Sequence, residues 1–243
     1  MQRSLLGRYK VYNFRNGLEF VNGIETLSFT NTDTLASLEK ISIVIWFKGK
    51  SFALSSNAST QTNNRMWFAY DPDTLNKISA TFRTTEQGSL VSGEAPTILT
   101  EVDPLTEATM FTAVYDGTQD VVEDRIKIYV NKNKLMGSAI NVPTSLNSDI
   151  LNNLVFQDLF ANYQNEGVIG KIIVDVGYAL TDAEISKLHS KRARPYEKVI
   201  GRNPYINCEL DEEGSATTAI NTGTSGFNGT LNNFTLPGSW VTF

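Results

Sequence analysis

The sequence predicts an all-β chain with one short helix near residues 181–191. The first observation is composition. The stretches ISIVIWFKG (41–49), MFTAVYDG (110–117) and RIKIYVNKNKL (125–135) are dominated by β-branched and aromatic residues. The second is periodicity, since Ile126, Ile128 and Val130 alternate with Lys127 and Tyr129. Period two is the mark of a strand with one buried face. The third is a change of period, because GKIIVDVGYALTDAEI (170–185) reads as a strand running directly into a helix.

Taken in order, the segment around Trp67 reads as a strand that ends at the loop Asp71-Pro72-Asp73. Alternation is expected to put Phe68 and Tyr70 on one face and Met66 on the other, one set being core. Polar NASTQTNN (57–64) reads as a long hairpin loop, and acidic 84–107 as loop with a short strand near 97–99. Helix signals then follow residue by residue. Thr181 stands at the N-cap and Glu184 three positions on completes a capping box. Leu180 and Ile185 have the spacing of a hydrophobic staple, and Ile185 with Leu188 forms the buried stripe. Lys187, His189, Lys191 and Arg192 suit the negative end of the helix dipole, and Pro195 limits further extension.

These residues resemble the laminin G-like, concanavalin A-like lectin/glucanase superfamily. The resemblance is carried by a strand with an internal Trp46 and a strand ending Tyr115-Asp116-Gly117. It continues with Ile128 to Asn131 and with Gly170-Lys171-Ile172 followed by Ala179 to Ile185. The opening GLEFVNGIETLSFTN is similar to that family's first strand pair. The resemblance implies a jelly-roll sandwich of two antiparallel sheets, often used to bind carbohydrate or protein. Near the end, Glu213, Gly214, Ser215, Thr217 and Thr218, then Asn228 to Leu231, resemble the segment that usually begins such domains. That placement implies a circular permutation, or C-terminal strands returning beside the N-terminal ones. The expected organisation is an N-terminal arm or edge strand over 1–16 and one domain over 17–243, with wrapped strands in 204–243.

Composition narrows the function classes. At 243 residues the chain buries enough surface for a core without disulfide or metal, and its single cysteine, Cys208, excludes an intrachain disulfide framework. Cys208 alternates with Ile206 and Leu210, as a buried strand residue does. No apolar run approaches membrane-spanning length, and MQRSLLGRYKVYNF lacks the apolar core of a secretory signal. The net charge of −5 and the absence of a recognition motif argue against nucleic acid. Charge is uneven nonetheless. Residues 187–202 hold six cations against Glu197, and Arg3, Arg8, Lys10 and Arg15 precede any acid. Such fields steer contact with a partner or between copies.

Candidate chemistry is limited. Glu209, Asp211 and Glu213 would share one face of a strand, and the superfamily's glycoside hydrolases carry such a Glu-x-Asp-x-Glu strand. Here the second spacer is Glu212 rather than an apolar residue, so no catalytic residue is assigned. His189, the one histidine, is expected at the surface or half-buried. No cofactor is expected, calcium being the one metal that oxygen-rich loops here suit, through Asp71, Asp73, Asn221 and Asn228. The Asp that many relatives carry after the first-strand Phe is Val21 in this chain. Trp67, Tyr70, Asp71 and Asp73 are the candidate ligand-binding set, and Trp46 is expected to be core.

The expected function is a non-catalytic structural or adhesive module of a phage virion: a capsid decoration, head-fibre or tail component. Its expected partners are other virion proteins or copies of itself, with host-surface carbohydrate as a ligand. The alternative is a free-standing bacterial carbohydrate-binding protein at the cell surface, with glycoside hydrolysis as its enzymatic variant. Arg3, Arg8, Lys10 and Arg15 are the expected assembly residues. Deleting residues 2–15 is expected to leave a folded domain that no longer joins its particle or oligomer. Unfolding of the truncated protein would instead make the segment a strand of the domain, and normal assembly would refute docking.

Overall fold

The computed structural model describes residues 16–21, 25–30, 37–56, 65–71, 77–83, 88–94, 104–135, 138–156, 166–192, 194–210, 212, 216–234 and 239–242. Arg3, Arg8, Lys10 and Arg15 lie outside them, as does Asp73, and so does the side chain of Asp71. The first half of the chain supplies β1 (Asn16–Phe20), β2 (Thr26–Thr30), β3 (Lys40–Ser56), β4 (Arg65–Asp71), β5 (Lys77–Arg83) and β6 (Gly88–Glu94). Next come β7 (Thr109–Asp116), β8 (Ile126–Val130), β9 (Asn133–Lys134), β10 (Ser138–Ile140), β11 (Asn153–Phe156) and β12 (Glu166–Val176). Helices α1 (Asp182–Ser190) and α2 (Tyr196–Ile200) precede β13 (Ile206–Cys208), β14 (Thr218–Ala219), β15 (Gly229–Asn232) and β16 (Trp240–Thr242).

These strands form an all-β jelly-roll sandwich of two antiparallel sheets. The first sheet is ordered β9-β8-β7-β3-β12, with β1 and β13 along the other edge of β12 and β16 beyond β1. The second runs β10-β6-β5-β4-β3-β11-β2-β15-β14. C-terminal strands pair beside N-terminal ones: β16 with β1, Leu18 opposite Trp240, and β15 with β2, Leu27 opposite Leu231.

One strand belongs to both sheets. Residues 41–48 of β3 pair with β12 in the first sheet, whereas Phe52 to Ser55 pair with β4 in the second. The corner between them is Gly49, at φ 152°, register-paired with Gly167, at φ 141°. A Cβ on Gly49 would overlap the Cα of Gly167 and the carbonyl oxygen of Glu166. A register shift in β12 between Glu166 and Gly167 accompanies the bend. Strands that switch sheets do so at such bulges.

The main core lies between the sheets. Ile41, Ile43, Ile45 and Phe47 point into it from β3, and Phe111, Ala113 and Tyr115 from β7. Phe52, Phe68 and Phe82 point in from the second sheet. Phe52 meets Phe111 edge-on at 5.1 Å between ring centroids. Edge-to-face pairs of this kind add to the burial of their area.

A second apolar layer covers the outer face of the first sheet. Val44, Trp46, Met110, Val114, Tyr129 and Ile173 pack there under Leu180, Ile185, Leu188 and Tyr196 of the helical segment. The helix begins where its cap residues dictate. Thr181 Oγ1 accepts from the Glu184 backbone N–H at 3.3 Å, and Glu184 Oε2 accepts from the Thr181 N–H at 2.9 Å. Ser42 Oγ donates to the Tyr178 carbonyl and accepts from Leu180 N–H, tying the approach to β3. Thr181→Ala is expected to cost about 0.5–2 kcal/mol, read from a urea midpoint shift at unchanged slope.

A second helix follows the first, which the sequence reading did not anticipate. Pro195 ends one helical segment but is itself the N-cap residue of α2, and Gly201, at φ 87°, closes it in the left-handed conformation. α2 is held from below. Its Tyr196 hydroxyl donates to Asp175 Oδ2 at 2.7 Å, and Arg202 meets Asp175 Oδ1 at 3.1 Å while lying 4.4 Å over the Tyr178 ring.

Asp175 is 1% exposed, and burial holds its carboxyl above the ordinary 3.8, against the opposing pull of Tyr196 and Arg202. The folded chain therefore binds this proton more tightly than the unfolded one. The stability that comes with the proton is full below 3.8 and is lost as pH rises through the raised value. Asp175→Asn is expected to match the parent below 3.8 and to gain on it progressively above. Denaturation midpoints of both proteins from about pH 3 to about pH 7 test this, and a widening deficit for the Asn variant would contradict it.

Candidate functional site

The candidate site lies on the outer face of the second sheet and follows from alternation. In β4, Met66, Phe68 and Tyr70 point into the core, all at or below 5% exposure, and Trp67 points out, half-buried. This corrects the expected grouping: Met66 shares the face of Phe68 and Tyr70. It also removes Tyr70 from the ligand-binding set, because its ring stacks on Phe111 at 5.1 Å inside the core.

Trp67 stands in a row defined by register. Thr81 of β5 is opposite it on one side and Ser55 of β3 on the other. From Ser55 the row continues through Val155 of β11, Ser28 of β2, Thr230 of β15 and Thr218 of β14. Six strand spacings separate Thr81 from Thr218, about 29 Å at about 4.8 Å each. Thr218 and Thr230 are exposed and Ser28 half-buried, whereas Val155, Ser55 and Thr81 are buried. Flanking outward positions include small or amidic Ala53, Ala69, Ser79, Thr26, Thr30, Asn153 and Asn232, and half-buried Arg83 two residues along β5 from Thr81. Among the described outward side chains of β2, β4, β5, β11, β14, β15 and residues 51–56, none is a carboxylate.

Two polar atoms on this face lack partners. Ser55 is 3% exposed, yet its Oγ makes no hydrogen bond among the described residues, and neither does the buried Oδ1 of Asn153. Ser55 is directly opposite Trp67, whereas Asn153 lies two strands away on β11, two residues along from Val155. Leaving a buried hydroxyl unsatisfied costs about 1–3 kcal/mol, and native proteins tolerate it where water or a ligand completes the bond.

The other sequence candidates have different fates. Asn221 and Asn228 do come together, but as a loop scaffold. Asn221 Oδ1 accepts from the backbone N–H groups of Asn207 and Gly223, both at 2.8 Å. Its Nδ2 donates to Ser225 Oγ and the Phe227 carbonyl, and Asn228 Oδ1 accepts from Asn221 N–H. The two lone pairs of the Asn221 oxygen are thereby used, which leaves no room for the expected cation contact. Among the described residues, no group of three or more His, Cys, Asp or Glu is placed to hold a metal ion.

Of the expected carboxylate strand, Asp211 and Glu213 lie outside the described residues. β13 ends at Cys208, and Leu210 adopts φ 46°, so alternation stops before residue 211. Glu209 Oε1 instead neutralises Lys171 Nζ at 2.6 Å, a lysine only 2% exposed. His189 is half-buried and stacks on Trp46 at 6.1 Å. Its imidazole is held below its ordinary value by burial first, then by Lys132 and Arg192. Cys208 is fully buried, and desolvation raises its thiol beyond the physiological range.

The fold defined above is that of laminin G-like and concanavalin A-like domains. No protein-family profile matches the chain, and no curated protein matches it. Solved structures do. A candidate carbohydrate-binding protein from Bacteroides ovatus superposes with a TM-score of 0.55 and 14% identity, covering 91% of this chain and 59% of that one. Tailspike protein 2 of an Escherichia coli O157:H7 bacteriophage gives 0.51 at 13% identity, over 80% of this chain and 26% of the tailspike. The LG4-5 domains of the mouse laminin alpha1 chain give 0.50 at 11% identity, over 71% of this chain and 45% of theirs. In each of these the chain spans less than two thirds of the matched protein.

Ser55, Asn153, Thr81 and the β2–β15–β14 hydroxyls were missed by sequence reasoning. Their signal was present: SFALSS (51–56) and TLSFT (26–30) alternate small polar with large apolar residues. That pattern marks an outward face made of hydroxyls.

Proposed function

We propose that this chain is a non-catalytic carbohydrate-binding module of a phage virion, holding a glycan along the Trp67 row. The carrying observation is the unpartnered buried Ser55 Oγ, directly opposite an outward tryptophan in the register. A sugar ring offers an apolar face for an indole and hydroxyls for Ser, Thr and Asn, and sites of few well-placed polar groups around an aromatic suit such ligands. Among the described side chains of this face there is no carboxylate pair for glycoside hydrolysis, and the reading is therefore one of binding without cleavage. The virion assignment is supported by the shared fold of the bacteriophage tailspike and would make host-surface polysaccharide the ligand, with other virion proteins holding the module.

The test is a panel of bacterial surface polysaccharides, read by calorimetry and by Trp fluorescence. Trp67→Ala is expected to weaken binding at least about tenfold, the loss of about 1.4 kcal/mol. Ser55→Ala carries the sharper expectation. It is expected to stabilise the free protein by about 1–3 kcal/mol, because it removes an unsatisfied buried hydroxyl, while weakening the glycan complex. Binding by no member of the panel, or unchanged affinity in both variants, would refute the site. Cleavage of a bound glycan would refute the non-catalytic assignment.

A further inference from the structure

The first sheet carries opposite charges at its two ends. Where β8 turns into β9, Lys132 is exposed, and the last turn of α1 and the residues after it bring Lys187, Lys191 and Arg192, all exposed. Trp46 stacks on His189 and is register-paired with Met110, whose carbonyl accepts from Asn131 N–H beside Lys132, so turn and helix end share one patch. Lys187 lies near Glu184, whose carboxylate is already taken up by Thr181 and Tyr178, and exposed Glu107 precedes β7 at this end. None of the four makes an ion pair among the described residues.

The opposite end, where β7 runs into the loop before β8, is acidic. Asp120 and Glu123 are exposed, Asp124 is half-buried, and exposed Glu39 lies beside them through the bond from Gly117 N–H to its carbonyl. Two cations at this end are occupied, while half-buried Lys127 follows on β8. Lys40 pairs with Asp116, and Arg125 donates to the carbonyls of Gln119 and Val142. Within this acidic rim Val121 stands 54% exposed, an apolar side chain for a partner to cover. The two ends are separated by the eight residues of β7, about 23 Å at about 3.3 Å per step.

We infer that the acidic β7–β8 loop end of one copy docks on the cationic β8–β9 turn and α1 end of the next, so that the chain associates head to tail. A second copy is the occupant favoured, because the same surface supplies both members of the complementary pair, at opposite ends of one strand. Such contacts are heterologous and give rings or fibres rather than two-fold dimers. This goes beyond the carbohydrate reading: the docking ends lie on the first sheet, and a glycan row on the second remains available in each copy.

Sedimentation of the full chain tests it. At about 10 mM salt, where the screening length is about 30 Å, the weight-average mass is expected to be at least about double that at about 1 M, where it is about 3 Å. Lys132→Glu with Arg192→Glu is expected to leave a monomer at low salt, and so is Asp120→Lys with Glu123→Lys. These exposed positions leave the fold intact, which circular dichroism checks. Mixing the two double variants is expected to restore association, as is combining all four substitutions in one chain. A low-salt monomer of the parent would overturn the inference, as would association indifferent to either reversal. Retention of a monomeric parent on immobilised dextran sulfate, lost with Lys132→Glu and Arg192→Glu, would also overturn it and assign the patch to a polyanion.

Discussion

Trp46→Ala is expected to lower the unfolding free energy by about 3–5 kcal/mol, measured by urea denaturation at unchanged slope. The residue is 2% exposed and sits between the first sheet and α1, stacked with His189 and packed among Val44, Met110 and Leu188. Removing the indole leaves a cavity lined from two sides, and the sheet beneath cannot collapse into it because β3 is also fixed by the inter-sheet core. The expected loss is a large share of the stability of a single domain, which is typically about 5–15 kcal/mol. A variant as stable as the parent would mean that the helical layer contributes little to folding.

Gly49→Val is expected to be at least as damaging, at about 3 kcal/mol or more, and to give mostly insoluble protein. Two costs combine there. The φ of 152° is a conformation that side-chain-bearing residues rarely adopt, and a Cβ would collide with backbone atoms of Gly167 and Glu166 rather than with a flexible side chain. Strain of that kind costs about 1–3 kcal/mol and overpacking about 1–3 kcal/mol more. The comparison is Gly177→Ala, at φ 76° but with open space around its Cβ, which meets only the first cost. If the two variants lost equal stability, the close approach of β3 and β12 would not be what demands glycine at the corner.

The legible parts of this chain were the local ones. The strands at 41–49, 110–117 and 125–135 and the Thr181–Glu184 capping box lie where their own side chains put them, because propensity, alternation and capping act over a few residues. What depended on distant partners was read less well. Trp67 and Tyr70 were read as one ligand-binding set, but pairing with Ser55 and Thr81 turns Trp67 out while packing on Phe111 holds Tyr70 inside. Glu209, Asp211 and Glu213 alternate in their letters, but the described strand ends at Cys208 and Leu210 turns left-handed, and nothing local to a leucine announces that. Asn221 was recognised as an oxygen donor, yet its oxygen is consumed by two backbone amides fourteen and two residues away. α2 was missed because its five residues after a proline give too short a window for a helical period.

Pairing of the first described strand with the last has a consequence for how the molecule is made. Leu18 finds Trp240, and Leu27 finds Leu231, across more than two hundred residues of chain. Loop-closure entropy is spent before such contacts return anything, so high contact order predicts refolding on the slow side, milliseconds to seconds. A ribosome would release β1 and β2 long before β15 and β16 exist, leaving the two early strands without their final neighbours. Nascent chains halted before residue 229 are therefore expected to remain protease-sensitive, and the sandwich to close only once β15 and β16 have emerged.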